Sequence, residues 1–184
     1  MKSSLGTIVR NWLPVALWLA IIRVESTGYA SSQNTFRLLY QTLSLLFGRV
    51  NPQLVFELDH VLRKSGHFIG YAVLSGLTFL ALRNTYRDRI IDGAQRPWGQ
   101  YLGDLWRLEW SLIALLLTVA TASMDEIHQT YLPSRTGRWQ DVVLDTSGAF
   151  ALQLVIYLAC QWRVSQRDPK RLATPGKLPL AESE

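Results

Sequence analysis

The sequence predicts an all-α integral membrane bundle of about four transmembrane helices, with one or two amphipathic helices between the first two spans. Three observations lead there. Four apolar runs, residues 12–22, 67–82, 110–124 and 142–162, are separated by polar, charged stretches. Seven Trp and seven Tyr are many for 184 residues, and Trp12, Trp110 and Trp162 flank apolar runs as interfacial aromatics do. Gly70, Ser75, Gly76, Ala120, Ala122, Ser147, Gly148 and Ala149 lie in or beside those runs, and close helix packing in lipid favours such small residues. Composition permits this reading without compelling it. The chain is 48% hydrophobic and 18% charged, with a mean hydropathy of +0.08, so soluble helical packing is the alternative.

The first run, "WLPVALWLAII", is short, and Ile8 and Val9 extend it if Arg10 snorkels. Counted from Trp12, Pro14 belongs in the first turn, where a missing N–H costs nothing. Basic residues precede the run, as in a signal peptide. It is bounded by Arg23 and Glu25 and has no clear small-x-small cleavage site, so it reads as a retained helix. Two amphipathic stretches follow. Residues 35–47 put Phe36, Leu39, Leu43 and Leu46 on one face, and residues 52–63, opening at Pro52, gather Leu54, Val55, Leu58, Val61 and Leu62. Both suit helices lying in the interface or capping the bundle.

A span needs about 20 residues, so the first three runs require their flanks to complete a crossing. The fourth is the longest and carries Asp145 inside it. The length fits one transmembrane domain over 1–165, and the Pro-rich, charged residues 166–184 read as a flexible tail. Cys160 is the only cysteine, which excludes an internal disulfide and a multi-cysteine zinc site. No internal repeat is apparent.

The basic residues decide orientation and partners. The net charge is +5, but Lys and Arg fall between apolar runs rather than in one stripe. That distribution suits loops meeting membrane lipid and argues against a nucleic-acid partner. With both termini inside, the inner segments hold Lys2 and Arg10, then Arg83, Arg87, Arg89, Arg96 and Arg107, and finally Arg163, Arg167, Lys170, Arg171 and Lys177. These 12 stand against seven outside (Arg23, Arg37, Arg49, Arg63, Lys64, Arg135 and Arg138). The expected topology is N-in and C-in.

That topology brings three helix ends to one outer face: "RKSGHFIGY", "MDEIHQ" and "RWQDVVLD". Lys64, His67, Tyr71 and Ser75 follow helical spacing along one face of the second span. Asp125 and Gln129 lie one turn apart on the third, beside Glu126, and Asp141, Asp145 and Gly148 repeat the rhythm on the fourth. Ionisable groups at membrane depth cost about 2.5–3.5 kcal/mol each on insertion scales, so they face the bundle interior and one another. Lys64 and Arg135 are the cations expected for these carboxylates, with Pro133 and Gly137 turning the connection.

Two interpretations compete. In one, the charges form a network that only orders the helices. In the other they form a site: His67, Glu126 and Asp125 are candidate acid/base groups, and Lys64 and Arg135 hold an anion. Tyr71, Gln129, Asp141 and Asp145 complete the binding set. A metal is a weaker third reading, because no His-x-Glu, His-Glu-x-x-His or aspartate-rich loop is present. No cofactor-binding signature appears either. His60 reads as a solvated residue and His128 as interfacial.

The blocks "RKSGHFIGYAVLSGL" and, some 50 residues later, "DEIHQTYLPSRTGRWQDVVLDTSGAF" resemble the VanZ-like membrane protein family. The resemblance spans roughly residues 10 to 162. It rests on Lys64, His67, Phe68, Tyr71, Asp125, Glu126, Gln129, Pro133, Arg135, Asp141 and Gly148. Two positions depart from the pattern: Arg63 stands where many members have Asp, and Asp145 where many have Asn. The resemblance implies a polytopic protein of a bacterial cytoplasmic membrane and a role in the cell envelope. The founding member is associated with low-level resistance to the glycopeptide teicoplanin. It does not imply a defined reaction.

Two functions follow. The first is an envelope protein that binds or modifies an anionic, cell-envelope or lipid-linked substrate at the outer face. The second is a structural or partner-binding module. Transport fits less well, since four short spans show no broken inverted repeats.

Overall fold

The computed structural model describes residues 4–27, 32–91, 106–131 and 138–167. These form five helices, α1 (Ser4–Glu25), α2 (Ser32–Phe47), α3 (Pro52–Ile91), α4 (Leu108–Thr130) and α5 (Trp139–Arg167), with no strand among the described residues. Four of them, over Leu5–Glu25, Pro52–Tyr86, Leu108–Thr130 and Trp139–Arg163, are long and apolar enough to cross a membrane. The protein is an all-α membrane bundle.

α1 is longer than its apolar run, and Pro14 lies inside it rather than in the first turn. The residues before Trp12 continue the helix, which moves the proline inward. There it removes one backbone N–H from the ladder, a loss that transmembrane helices tolerate. α2 is the separate amphipathic helix. Phe36, Leu39, Tyr40 and Leu43 are half-buried, with Phe36 against Phe56 of α3 at 6.4 Å between ring centroids. Leu46, expected on the same face, is exposed. Gly48 ends α2 at φ 79°, its N–H donating to the Ser44 carbonyl at 3.0 Å, as a left-handed C-terminal glycine does. Asn51 caps α3, its Oδ1 accepting the Gln53 N–H at 2.9 Å, and Pro52 takes the first helical position.

The second amphipathic stretch is not a separate helix. It runs without a break into the second span, making α3 40 residues long, about 60 Å. Between Arg63 and His67 the chain offers only Ser65 and Gly66 as weak helix formers. Each costs at most about 1 kcal/mol, too little to interrupt a helix packed on its neighbours.

α3 is the central element and packs against each of the other four helices. α1 and α4 run toward the end of the bundle that holds Lys64, while α3 and α5 run away from it. Near the opposite end, Asn11 meets Thr85 at 3.5 Å and Trp110 packs on Phe79 and Tyr86. One apolar cluster joins Val15 and Ile22 to Tyr71, Leu74, Ala81 and Ala122, and a second holds Phe79, Trp110 and Ala114. The outward surface is apolar too: Leu17, Leu116, Phe150 and Leu158 are exposed, as a lipid-facing surface requires.

α5 lies close on α3 at Gly148. A Cβ there would overlap the Phe68 carbonyl oxygen, so only glycine fits. Two turns deeper, Gln153 Nε2 donates to the Ser75 hydroxyl at 2.8 Å and to its carbonyl at 3.2 Å. These contacts set the register that places the polar ends opposite each other.

Candidate functional site

The polar residues gather where α1 and α4 end and α5 begins, against the middle of α3. The spacing read from the sequence explains α3's share. Lys64, His67, Tyr71 and Ser75 turn one face inward, with Tyr71 and Ser75 fully buried and Lys64 and His67 on the rim.

Asp125, only 2% exposed, is the centre. Its Oδ2 accepts hydrogen bonds from the Ser26 hydroxyl, from the Tyr71 hydroxyl at 3.3 Å and from Gln129 Nε2 at 3.2 Å. Three donors from three stretches of chain hold one oxygen, which satisfies the demand of a buried carboxylate. Its Oδ1 makes no hydrogen bond, and Arg23 Nη1 stands 3.7 Å away.

Among the described residues, each of the other site carboxylates has a partner of its own. Lys64 pairs with Asp141 at the rim. His67 Nδ1 lies 3.5 Å from Asp145 Oδ1, and the imidazole stacks on Tyr71 with centroids 6.3 Å apart. Glu126 Oε1 accepts the backbone N–H of Arg138, tying the end of α4 to the start of α5. Because Tyr71 touches both His67 and Asp125, contacts run without a break from Asp145 to Arg23.

Of the candidate residues within the described region, His67, Tyr71, Asp125, Gln129 and Asp145 are joined by contacts, and Lys64 with Asp141 and Glu126 with the Arg138 backbone form two further links beside them. Arg135, the second expected cation, lies outside the described residues, as do Pro133 and Gly137. Among the described residues, no three His, Cys, Asp or Glu side chains are grouped to hold a metal ion. His60 is exposed.

Sequence reasoning missed α1's contribution. From the sequence, Arg23 bounds the first run and counts among the outer basic residues, with no place in the site. In the structure it and Ser26 reach Asp125, and Trp18 Nε1 donates to the Gly70 carbonyl at 2.8 Å. A signal was available: Arg23 and Ser26 are polar, one turn apart, at the end of a span that finishes on the site's side. Gln153 also went unremarked, although an amide within a lipid span rarely lacks a partner.

Chemically, the described residues of the site set four carboxylates beside Arg23, Lys64 and one imidazole. The His67–Asp145 pair can hold and release a proton at the rim. The buried Asp125 junction joins α1, α3 and α4. No curated protein and no solved structure matches the chain significantly. The sequence profile of the VanZ/LLP1 family matches residues 12–160, covering both polar blocks and reaching into all four spans, and the chain belongs to that family.

Proposed function

We propose that this VanZ/LLP1-family membrane protein binds an anionic cell-envelope or lipid-linked substrate at the outer face of a bacterial cytoplasmic membrane, with N- and C-termini inside. His67 carries the proton. The observation that carries this reading is the His67–Asp145 pair: an imidazole 26% exposed on the rim, with Nδ1 3.5 Å from a carboxylate that is 3% exposed. A proton on Nδ1 facing Asp145 leaves Nε2 as the basic atom, the arrangement general acid–base chemistry uses. Asp125 and Glu126 are the further acid/base candidates. Lys64 and Arg135 hold the anion, and Tyr71, Gln129, Asp141 and Asp145 shape the site. The family's association with teicoplanin makes glycopeptide susceptibility the phenotype to read.

A second reading has its own support. The Asp125 junction, the Lys64–Asp141 pair and the Glu126–Arg138 contact each join separate helices. On that reading the network only orders the bundle, or presents it to a partner. His67→Ala and Glu126→Gln separate the two. The site reading expects normal abundance and thermal stability with loss of the envelope phenotype. If both variants instead fail to accumulate, or keep the phenotype intact, the network is structural.

A further inference from the structure

Lys64, the first cation the sequence offers, is engaged by Asp141. Arg23 is placed differently. Its side chain is 54% exposed, and its contact with Asp125 is 3.7 Å long, beyond the range of a charge-assisted hydrogen bond. Asp125 does not depend on it, because Ser26, Tyr71 and Gln129 already donate to the other oxygen. Moving the guanidinium toward a second anion breaks no formed hydrogen bond and leaves three donors on Asp125 Oδ2. Arginine suits that task, since its planar fork matches phosphate and carboxylate oxygens two at a time.

The surroundings of Arg23 face lipid. α1 is the most peripheral of the four spans. Below Arg23 on the same flank lie Ala20, Ala16 and Leu13, 3, 7 and 10 residues earlier, all exposed. Ala20 and Ala16 leave a shallow apolar strip directly beneath the guanidinium, bordered by exposed Leu13 and Leu17. A ligand whose charge sits on Arg23 and whose body follows this strip has an anionic head and an apolar chain. At the depth where a span meets the headgroups, anionic lipids present phosphate oxygens, which the guanidinium fork matches.

We infer that Arg23 is an anion-recognition residue of the site and that its ligand is an amphiphile of net negative charge carried on phosphate, reaching the site along the lipid-facing flank of α1. The inference rests on the proposed outer-face site and adds to it the recognising side chain, the ligand class and the direction of approach.

Native mass spectrometry of the full chain in detergent tests it, titrating phosphatidylglycerol, phosphatidylcholine or inorganic phosphate. Wild type is expected to prefer phosphatidylglycerol over phosphatidylcholine by about tenfold, the scale of one charge-assisted contact. Arg23→Gln is expected to abolish that preference, and Arg23→Lys to retain only part of it. If Arg23→Gln does not accumulate, Arg23→Lys decides, because it keeps the charge beside Asp125 but not the fork; a full wild-type preference then overturns the assignment. A preference kept in Arg23→Gln but lost in Lys64→Gln removes Arg23 and leaves the outer-face site standing. Inorganic phosphate binding as tightly as phosphatidylglycerol removes the amphiphile. Wild type indifferent to every anion overturns the site and this inference together.

Discussion

His67 on α3 and Asp145 on α5 face each other where the two helices pack together, Nδ1 to Oδ1 at 3.5 Å. They are 78 residues apart in sequence, and what aligns them is a glycine. Gly148 lies one turn beyond Asp145, and its missing side chain lets α5 come down on the Phe68 carbonyl. Site geometry and helix packing are thus one feature at this crossing.

Gly148→Ala should therefore be costly. Its new methyl meets backbone, which cannot rotate away as a side chain tip does. Overpacking of this kind costs about 1–3 kcal/mol. Thermal unfolding in detergent is expected to show that loss. Gly66→Ala is the control: a Cβ at Gly66 meets nothing within 4 Å, and helix propensity alone predicts a gain of up to about 1 kcal/mol.

Asp125 is the junction whose removal should spread furthest. Asp125→Ala strands the Ser26, Tyr71 and Gln129 donors together. We expect a loss of about 3 kcal/mol in the same assay, the usual cost of leaving buried polar groups unpaired. Asp125→Asn keeps one carbonyl oxygen and should lose less than half as much. Equal losses for the two substitutions would contradict the three-donor arrangement.

Gln153 and Ser75 form a coupled pair deeper in the bundle. Gln153→Leu removes both donations to Ser75 and is expected to cost about 1 kcal/mol. Adding Ser75→Ala should cost little more, since the hydroxyl it deletes has already lost its partner. A double-mutant cycle with zero coupling energy would show that the bond contributes nothing to stability.

Topology is directly measurable. In a Cys160→Ala background, cysteines placed at exposed His60 and Thr130 should both react with an impermeant reagent on intact cells. A cysteine at exposed Arg163 should react only after permeabilisation. Opposite labelling of positions 60 and 130 would separate the two halves of the site and remove it.

Much of this was legible beforehand. Apolar runs of span length, small residues within them and charge at their ends are local properties of the chain, because lipid forces each span to satisfy its own backbone and to hide its charges. From these follow the four spans, the amphipathic α2 and the gathering of Lys64, His67, Tyr71, Asp125, Glu126, Gln129, Asp141 and Asp145 at one end. Which side chain pairs with which was not local. Lys64 had four carboxylates within nominal reach. Its pairing with Asp141 follows from the rotation and height of α5 against α3, set by Gly148 on Phe68 and Gln153 on Ser75.

Only the folded bundle brought α1 into the site. Nothing in the residues around Arg23 and Ser26 names Asp125, 99 positions beyond Ser26, as their partner. The fusion of the second amphipathic stretch with the second span was likewise decided by packing, since the weak helix formers at Ser65 and Gly66 leave the outcome to α3's neighbours. Periodicity along a helix says which residues share a face. The azimuth of that face, and what it meets, depends on contacts made by other helices, and those exist only once the chain has folded.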